Sequence, residues 1–202
     1  LSENGHVVVV DDFEELLERL EKVLVHAGYT ASTYASPTAF LKAPRPSPPC
    51  CLILDVDMPE LTGLEVQRAL LHNGQAMPMV FMTGHRDLPT AIEAMKGGAV
   101  DFLLKPFTDE ALLGAVARAI AQSAAQTAAR EVVDQAKRRL DSLTPREHEV
   151  CLLVAEGLTS REIGEKLGVA ESTISVHRSR IMAKLEAGSI ADIVRLVDLG
   201  RG

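Results

Sequence analysis

Four short apolar runs in this chain each end on a polar residue, and together those residues could handle a phosphoryl group. The run 6–10 leads into Asp11-Asp12, 51–54 into Asp55, 79–82 into Thr83, and 102–104 into Lys105-Pro106. Carboxylates, a hydroxyl and an ammonium suit phosphoryl transfer only if they converge. Taken singly, each has a plainer reading. Asp11 or Asp12 serves as a helix N-cap, Thr83 as a loop hydroxyl and Lys105 as solvated surface.

Convergence follows from the elements that must carry them. Short Val/Ile/Leu runs separated by helix-period segments read as buried parallel strands. Helical periods cover 13–27, a short stretch near 37–42, then 63–72, 87–96 and a segment from 109 onward, while 30–34 supplies a second, more exposed strand. Alternating strands and helices with short connections predict a parallel sheet covered on both faces. In such a sheet, ligands sit outside the carboxyl ends of the strands. All four polar stops fall at that edge. The Pro-rich stretch 43–49 is expected as a stiff surface loop.

With 202 residues, 47% hydrophobic and 24% charged, the chain can build one large core or two small ones. No apolar stretch approaches the ~18 residues a bilayer span needs, and no signal-peptide pattern opens the chain, so a cytoplasmic protein with no membrane partner is expected. A start at Leu1 is read as a trimmed or processed end. Three cysteines, two of them adjacent, suggest neither a disulfide framework nor a zinc site. Residues 1–122 carry 9 basic and 16 acidic side chains, net −7, whereas 123–202 carry 12 of each. An acidic first half suits a cation-binding pocket, and the neutral second half still leaves room for a local basic stripe.

From about 116 to 140 the sequence is rich in Ala, Gln, Glu and Arg and reads as one long helix that leaves the first domain as a linker. Apolar residues at 116, 120, 132, 136 and 140 keep a four-residue step, which fits either a packed helix or a solvated spacer. Beyond 140 no strand signal survives. Capping boxes at Thr144–Glu147, Thr159–Glu162 and Ser189–Asp192 start three helices, and a fourth spans 171–185. Pro145 takes a first helical position, where its missing donor costs nothing. The expected domains are 1–122, a helical linker 123–141 and an all-α domain 142–202.

Asp11-Asp12, Asp55-Val-Asp-Met-Pro59 with Gly63, Thr83-Gly84 and Lys105-Pro106 resemble the receiver domain of bacterial two-component response regulators. Met82-Thr-Gly-His85, Ala94-Met-Lys-Gly-Gly-Ala99 and Phe102-Leu-Leu-Lys-Pro-Phe107 resemble the FixJ type in particular. The resemblance implies a flavodoxin-like (βα)5 fold with Asp55 as phosphoacceptor, the aspartyl-phosphate route of covalent catalysis. It implies Mg²⁺, with Mn²⁺ as a substitute, held by Asp12, Asp55 and the Asp57 backbone carbonyl, with Asp11 acting through water. Lys105 would neutralise one phosphoryl oxygen and Thr83 would hydrogen-bond another. Phe102 would be the aromatic switch residue that turns inward behind Thr83, and Lys105–Pro106 would be a cis peptide. Phe13 stands where many relatives have a third acid, and Asp57 adds charge beside the phosphoryl site.

Residues 142–199 resemble the helix-turn-helix domain shared by NarL/FixJ and LuxR regulators. The carriers are Leu143-Thr-Pro-Arg-Glu-His-Glu-Val150, Glu156-Gly-Leu-Thr159, Glu162-Ile-Gly164, Leu167-Gly-Val169 and Ser172-Thr-Ile-Ser-Val-His-Arg178. Gly168 would make the turn between scaffold and recognition helices. On the recognition helix Ile174, Ile181 and Leu185 face the core. Ser175, Val176 and Ser179 face the groove as candidate base readers. Arg178, Arg180 and Lys184, with Thr173 and Ser172 near the helix start, are expected on phosphates. His177 reads as structural or as a further phosphate contact.

The implied whole is a transcription regulator phosphorylated by a sensor histidine kinase. It would dimerise on phosphorylation through its fourth helix and fifth strand, bind double-stranded DNA and, by family habit, activate, with RNA polymerase a further partner. No enzyme is expected beyond self-phosphorylation and slow dephosphorylation. Two alternatives stand beside it: a phosphorylation-independent DNA-binding regulator, and a phosphoryl carrier in a relay.

Overall fold

The computed structural model describes residues 4–84 and 88–201. Two compact units divide the chain, Leu1–Thr127 and Ala128–Gly202.

In the first unit the apolar runs are strands: β1 (His6–Val10), β2 (Thr30–Tyr34), β3 (Cys50–Asp55), β4 (Met79–Thr83) and β5 (Asp101–Leu104). They pair parallel in the order β2-β1-β3-β4-β5. Between them run α1 (Glu14–His26), α2 (Pro37–Lys42), α3 (Gly63–His72) and α4 (Leu88–Lys96), and α5 (Asp109–Asp141) follows. Asp87, expected in the fourth helix, lies outside the described residues.

The period of two along each strand splits the core into two layers. Val7, Val9, Cys51, Ile53, Val80 and Met82 pack on one face with Leu17, Leu20 and Leu24 of α1 and Leu112, Val116 and Ala119 of α5. Val8, Val10, Leu52, Leu54 and Phe81 pack on the other with Phe40 of α2, Val66 and Leu70 of α3 and Ala94 of α4. Because β1, β3 and β4 are covered on both sides, they tolerate only continuous apolar sequence. All three cysteines are free and buried, and burial pushes the Cys51 thiol up to about 12.

The second unit is helical. The last turns of α5 precede α6 (Pro145–Ala155), α7 (Ser160–Leu167), α8 (Glu171–Leu185) and α9 (Ile190–Arg201). Val150, Val154, Ile163, Ile174, Ile181, Leu185, Ile193 and Val197 form its core. Thr144 and Thr159 close reciprocal capping boxes with Glu147 and Glu162. Ser189 and Asp192 do the same with the shorter acid. Gly168 ends α7 in the left-handed region at φ 67°, the conformation that lets α8 turn away at once.

The stretch 123–141, expected as a linker, is helical throughout, yet both its ends are packed. Ser123 is buried and its hydroxyl accepts from the Cys50 N–H at 3.0 Å. Ala136 is buried too, while Val132 is half exposed. The four-residue apolar step therefore marks real packing at 136 and 140 and stops short of 132.

Candidate functional site

The strand register sets the geometry of the sheet edge. Val10 lies level with Tyr34 and Leu54, Asp55 with Met82, and Thr83 with Leu104. The chain therefore delivers Asp11, Asp55, Thr83 and Lys105 at the same height. In this strand order β1 and β3 flank the topological switch point, where a crevice opens beyond the strand ends.

Lys105 Nζ donates to Asp11 Oδ2 at 2.5 Å and sits 2.7 Å from Asp55 Oδ1. Asp11, Asp55 and Thr83 are buried, whereas Asp12 and Asp57 are exposed beside them. The Asp57 N–H donates to Asp55 Oδ2 at 3.0 Å, so both oxygens of that carboxylate are engaged. Burial raises the Asp55 pKa, and the neighbouring Asp11 charge adds to the rise against the pull of Lys105. Burial also disfavours the Lys105 ammonium, but the two carboxylates outweigh it and its pKa is raised.

Local backbone features aim these groups. The Lys105–Pro106 peptide is cis, as the resemblance implies. The Lys105 N–H donates to Thr83 O at 2.7 Å, tying the loop after β5 to the end of β4. Thr62 caps α3 in a reciprocal box with Glu65, a motif present in the sequence but not among the expected caps. Gly63 donates its N–H to Val56 O at 2.9 Å, and a Cβ there would overlap the Asp55 carbonyl oxygen. Only glycine lets the helix start press this closely on the strand that carries Asp55. Phe102 is half-buried against the core layer of α3 and α4, level with Phe81. Phe13, where an acid was the common alternative, is 57% exposed. It joins Leu16, Lys105, Pro106 and Phe107 along a mainly apolar groove of about 520 Å³ that sequence reasoning did not anticipate.

In the second unit α8 shows the predicted face. Ile174, Ile181 and Leu185 are buried, and Ser172, Thr173, Ser175, Val176, Ser179 and Arg180 are exposed. The Ser175 hydroxyl bonds back to Glu171 O at 3.1 Å. Two expected phosphate contacts are already engaged. Arg178 is half-buried and reaches Ser160 Oγ of α7 at 3.4 Å. Lys184, itself still exposed, donates to the buried Glu147 Oε2 at 2.6 Å, an ion pair within the domain. The cause is helical geometry: Lys184 follows Ile181 by three residues, about 60° round the helix, on the flank of the core stripe. His177 is half-buried with Nδ1 unpaired.

The Lys184 ammonium, and after it the Thr144 N–H, hold the Glu147 carboxyl down at about 2, from an ordinary 4.5. A carboxyl more acidic folded than unfolded stabilises the fold above 4.5, and its contribution fades as pH falls towards about 2. Glu147→Gln is therefore expected to lower the unfolding temperature at pH 6–7, and the gap to wild type should close between pH 4.5 and 2. Thermal melts across that range check it, and a gap that stays constant to pH 2 would refute the pairing.

A doubly wound sheet with a lysine clamped between two aspartates at its switch point, in one chain with a helix-turn-helix unit, defines a phosphorylation-regulated DNA-binding regulator. Comparison with known proteins names the family. Residues 7–117 match the response regulator receiver domain, and residues 141–197 match the bacterial regulatory proteins of the luxR family. The response regulator TodT of Pseudomonas putida is 38% identical over 199 residues, covering 98% of this chain and 88% of TodT. The transcriptional regulatory protein FixJ of Bradyrhizobium diazoefficiens is 35% identical over 196 residues, 97% of this chain and 96% of FixJ. Among solved structures, the response regulator StyR superposes with a TM-score of 0.87 at 40% identity, covering 96% of this chain and 98% of StyR. Full-length FixJ from B. japonicum gives 0.59 at 35% identity, over 98% and 97% of the two chains. The chain belongs to the two-component response regulators, and it is a transcription regulator of the FixJ type.

Proposed function

We propose that Asp55 is the phosphoacceptor and that residues 1–122 receive the phosphoryl group, 142–202 bind DNA and the helical stretch 123–141 joins them. The observation that carries this reading is the position of Lys105 Nζ, within 2.7 Å of Asp55 and 2.5 Å of Asp11 at the switch point of the sheet. An ammonium held there is placed to neutralise an incoming phosphoryl oxygen, and Thr83 lies level on the next strand to bond another. An Asp55 oxygen attacks phosphorus while the bond to the donor breaks, leaving an acyl phosphate.

Asp11, Asp12, Asp55 and the Asp57 backbone carbonyl form the proposed site for Mg²⁺, with Mn²⁺ as substitute. The donor chemistry fits, because Mg²⁺ asks for hard oxygens and one or two carboxylates and keeps several waters. Asp12 and Asp55 would supply that pair, with Asp11 acting through water. Among the described residues no three His, Cys, Asp or Glu side chains are gathered as a metal site, and Lys105 spans Asp11 and Asp55. When bound, the ion offsets the negative charge that a phosphoryl group brings to these carboxylates.

The partner that delivers the phosphoryl group is a sensor histidine kinase. The groove of Phe13, Leu16, Pro106 and Phe107 adjoins Lys105, so a helix seated there brings its phosphohistidine to Asp55. Phosphorylation then draws Thr83 inward with Phe102 behind it. The surface so remodelled is that of α4 and β5, where Ile92 and Met95 stand about half exposed, and a second copy pairs there. The dimer binds double-stranded DNA through α8 and activates transcription with RNA polymerase as a further contact. No described helix is long and apolar enough to cross a membrane, and the cytoplasm is the proposed location.

Footprinting the full chain on DNA from its own gene neighbourhood, with and without acetyl phosphate and Mg²⁺, tests the reading. Protection is expected to appear, or to strengthen at least about tenfold, only with both present. Equal protection in all conditions would favour a phosphorylation-independent regulator, and phosphorylation without protection a relay carrier.

A further inference from the structure

Two sets of polar contacts hold the last turns of α8. Lys184 Nζ donates to Glu147 Oε2 at 2.6 Å and approaches Ser142 O at 3.4 Å. The same Glu147 oxygen accepts from Thr144 N at 2.9 Å and Thr144 Oγ1 at 3.0 Å, and Glu147 is only 4% exposed. In addition, Arg139 of α5 donates to the Leu185 carbonyl at 3.2 Å and pairs with Glu186 at 2.8 Å. Leu185 closes α8, so its carbonyl is one of those that a helix leaves without an internal partner.

Glu147 thus joins the start of α6 to the end of α8. Being anionic and buried, it cannot hold a DNA phosphate. Glu147 is the buried member, so removing Lys184 leaves its charge without a cation, and removing Glu147 frees the partly solvated Lys184 and unties the end of α8 from the start of α6. Base edges are read by short side chains at the other end of α8, where a small tilt misplaces every donor at once.

We propose that Glu147, acting through Lys184, is a positioning residue for DNA recognition: their ion pair fixes the pose of α8, and Arg139 is its second anchor. Lys184 then contributes to sequence preference without contacting the backbone of DNA. The proposal rests on α8 as the reading helix.

The test uses the full chain phosphorylated with acetyl phosphate and Mg²⁺, a duplex selected by the wild type from a random pool, and a scrambled duplex of equal length. Glu147→Gln keeps an amide oxygen for the capping box and removes only the charge. Simple electrostatics predicts that losing an acid strengthens binding to both duplexes. Positioning predicts the opposite for the selected duplex, a loss of about tenfold with scrambled binding and salt dependence unchanged. Lys184→Gln should match it, and the double variant should lose no more than either single one.

Should Glu147→Gln fail to fold, Lys184→Gln alone decides. Equal weakening on both duplexes with a salt slope shallower by about one overturns the proposal, because that is the signature of a phosphate contact. Unchanged selectivity in a folded Glu147→Gln protein overturns it as well. If the wild type selects no sequence, the reading of α8 has failed and the proposal falls with it. If it selects one that Val176→Ala alters and Glu147→Gln does not, the proposal alone falls.

Discussion

Asp55→Asn is expected to reduce phosphoryl incorporation from acetyl phosphate from stoichiometric to background while leaving the fold intact. An amide nitrogen or oxygen at this position does not form the acyl phosphate, and none of the three neighbouring acids is placed to substitute. Asp11 is committed to Lys105 at 2.5 Å, and Asp12 and Asp57 are exposed outside the clamp. The fold should tolerate the change because burial raises the Asp55 pKa above its ordinary 3.8. A group with a raised folded pKa favours the fold in its protonated form, and that contribution is lost as pH rises through the folded value. At pH 7 the charged Asp55 is therefore a burden, which the neutral amide avoids. Lys105 keeps Asp11 as its partner. Melting at pH 7 should be unchanged or slightly higher, and label on the wild type should be acid-stable and base-labile. Stoichiometric label of that kind on the variant would show that the nucleophile lies elsewhere.

That prediction draws on the part of the molecule most legible in the sequence. Strands buried on both faces must be continuously apolar, so their ends are marked by the first polar residue, and parallel pairing brings those ends to one edge. Asp11, Asp55, Thr83 and Lys105 were found in this way, and register supplied the rest. The helix starts were equally legible where a hydroxyl and an acid stood three apart, as at Thr144, Thr159 and Ser189.

What depended on a third partner was not. The sequence pairs Thr144 with Glu147, but nothing in it marks Lys184, 37 residues on, as the cation that completes the cluster. A helical wheel gave a partial signal. Lys184 and Arg178 lie about 60° and 40° from the core residues Ile181 and Ile174, close enough to touch whatever packs there. Arg180 and Val176 lie farther round and are exposed. The apolar groove beside Lys105 escaped for a related reason, since Phe13, Leu16 and Phe107 come from two segments that only the folded sheet brings together. Arg139 was expected in a connecting helix, yet it holds the end of α8, because the helix continues into the second unit before it stops.

The division of labour along α8 leads to the second large effect. Val176 is 50% exposed and shares a face with Ser172, Ser175 and Ser179, opposite Ile174 and Ile181. A methyl-bearing side chain there is suited to the thymine C5-methyl, and serine hydroxyls bond to more than one base edge. Replacing Val176 or Ser179 is expected to change which operators are preferred, by about 1–3 kcal/mol for each altered base contact. Arg180 is exposed on the neighbouring flank, long enough to reach sideways to the backbone, and free of the internal ties that engage Lys184. Arg180→Ala should weaken selected and scrambled duplexes alike and flatten the salt dependence by about one counterion, since a phosphate contact acts through counterion release and carries no sequence information. Arg178, half-buried against Ser160, should fall between the two, with some loss of affinity on every sequence and some loss of stability. Selection from a random pool, repeated at two salt concentrations for each variant, separates these outcomes. Val176 and Ser179 variants that keep the wild-type preference would mean that bases are read by another element of the domain.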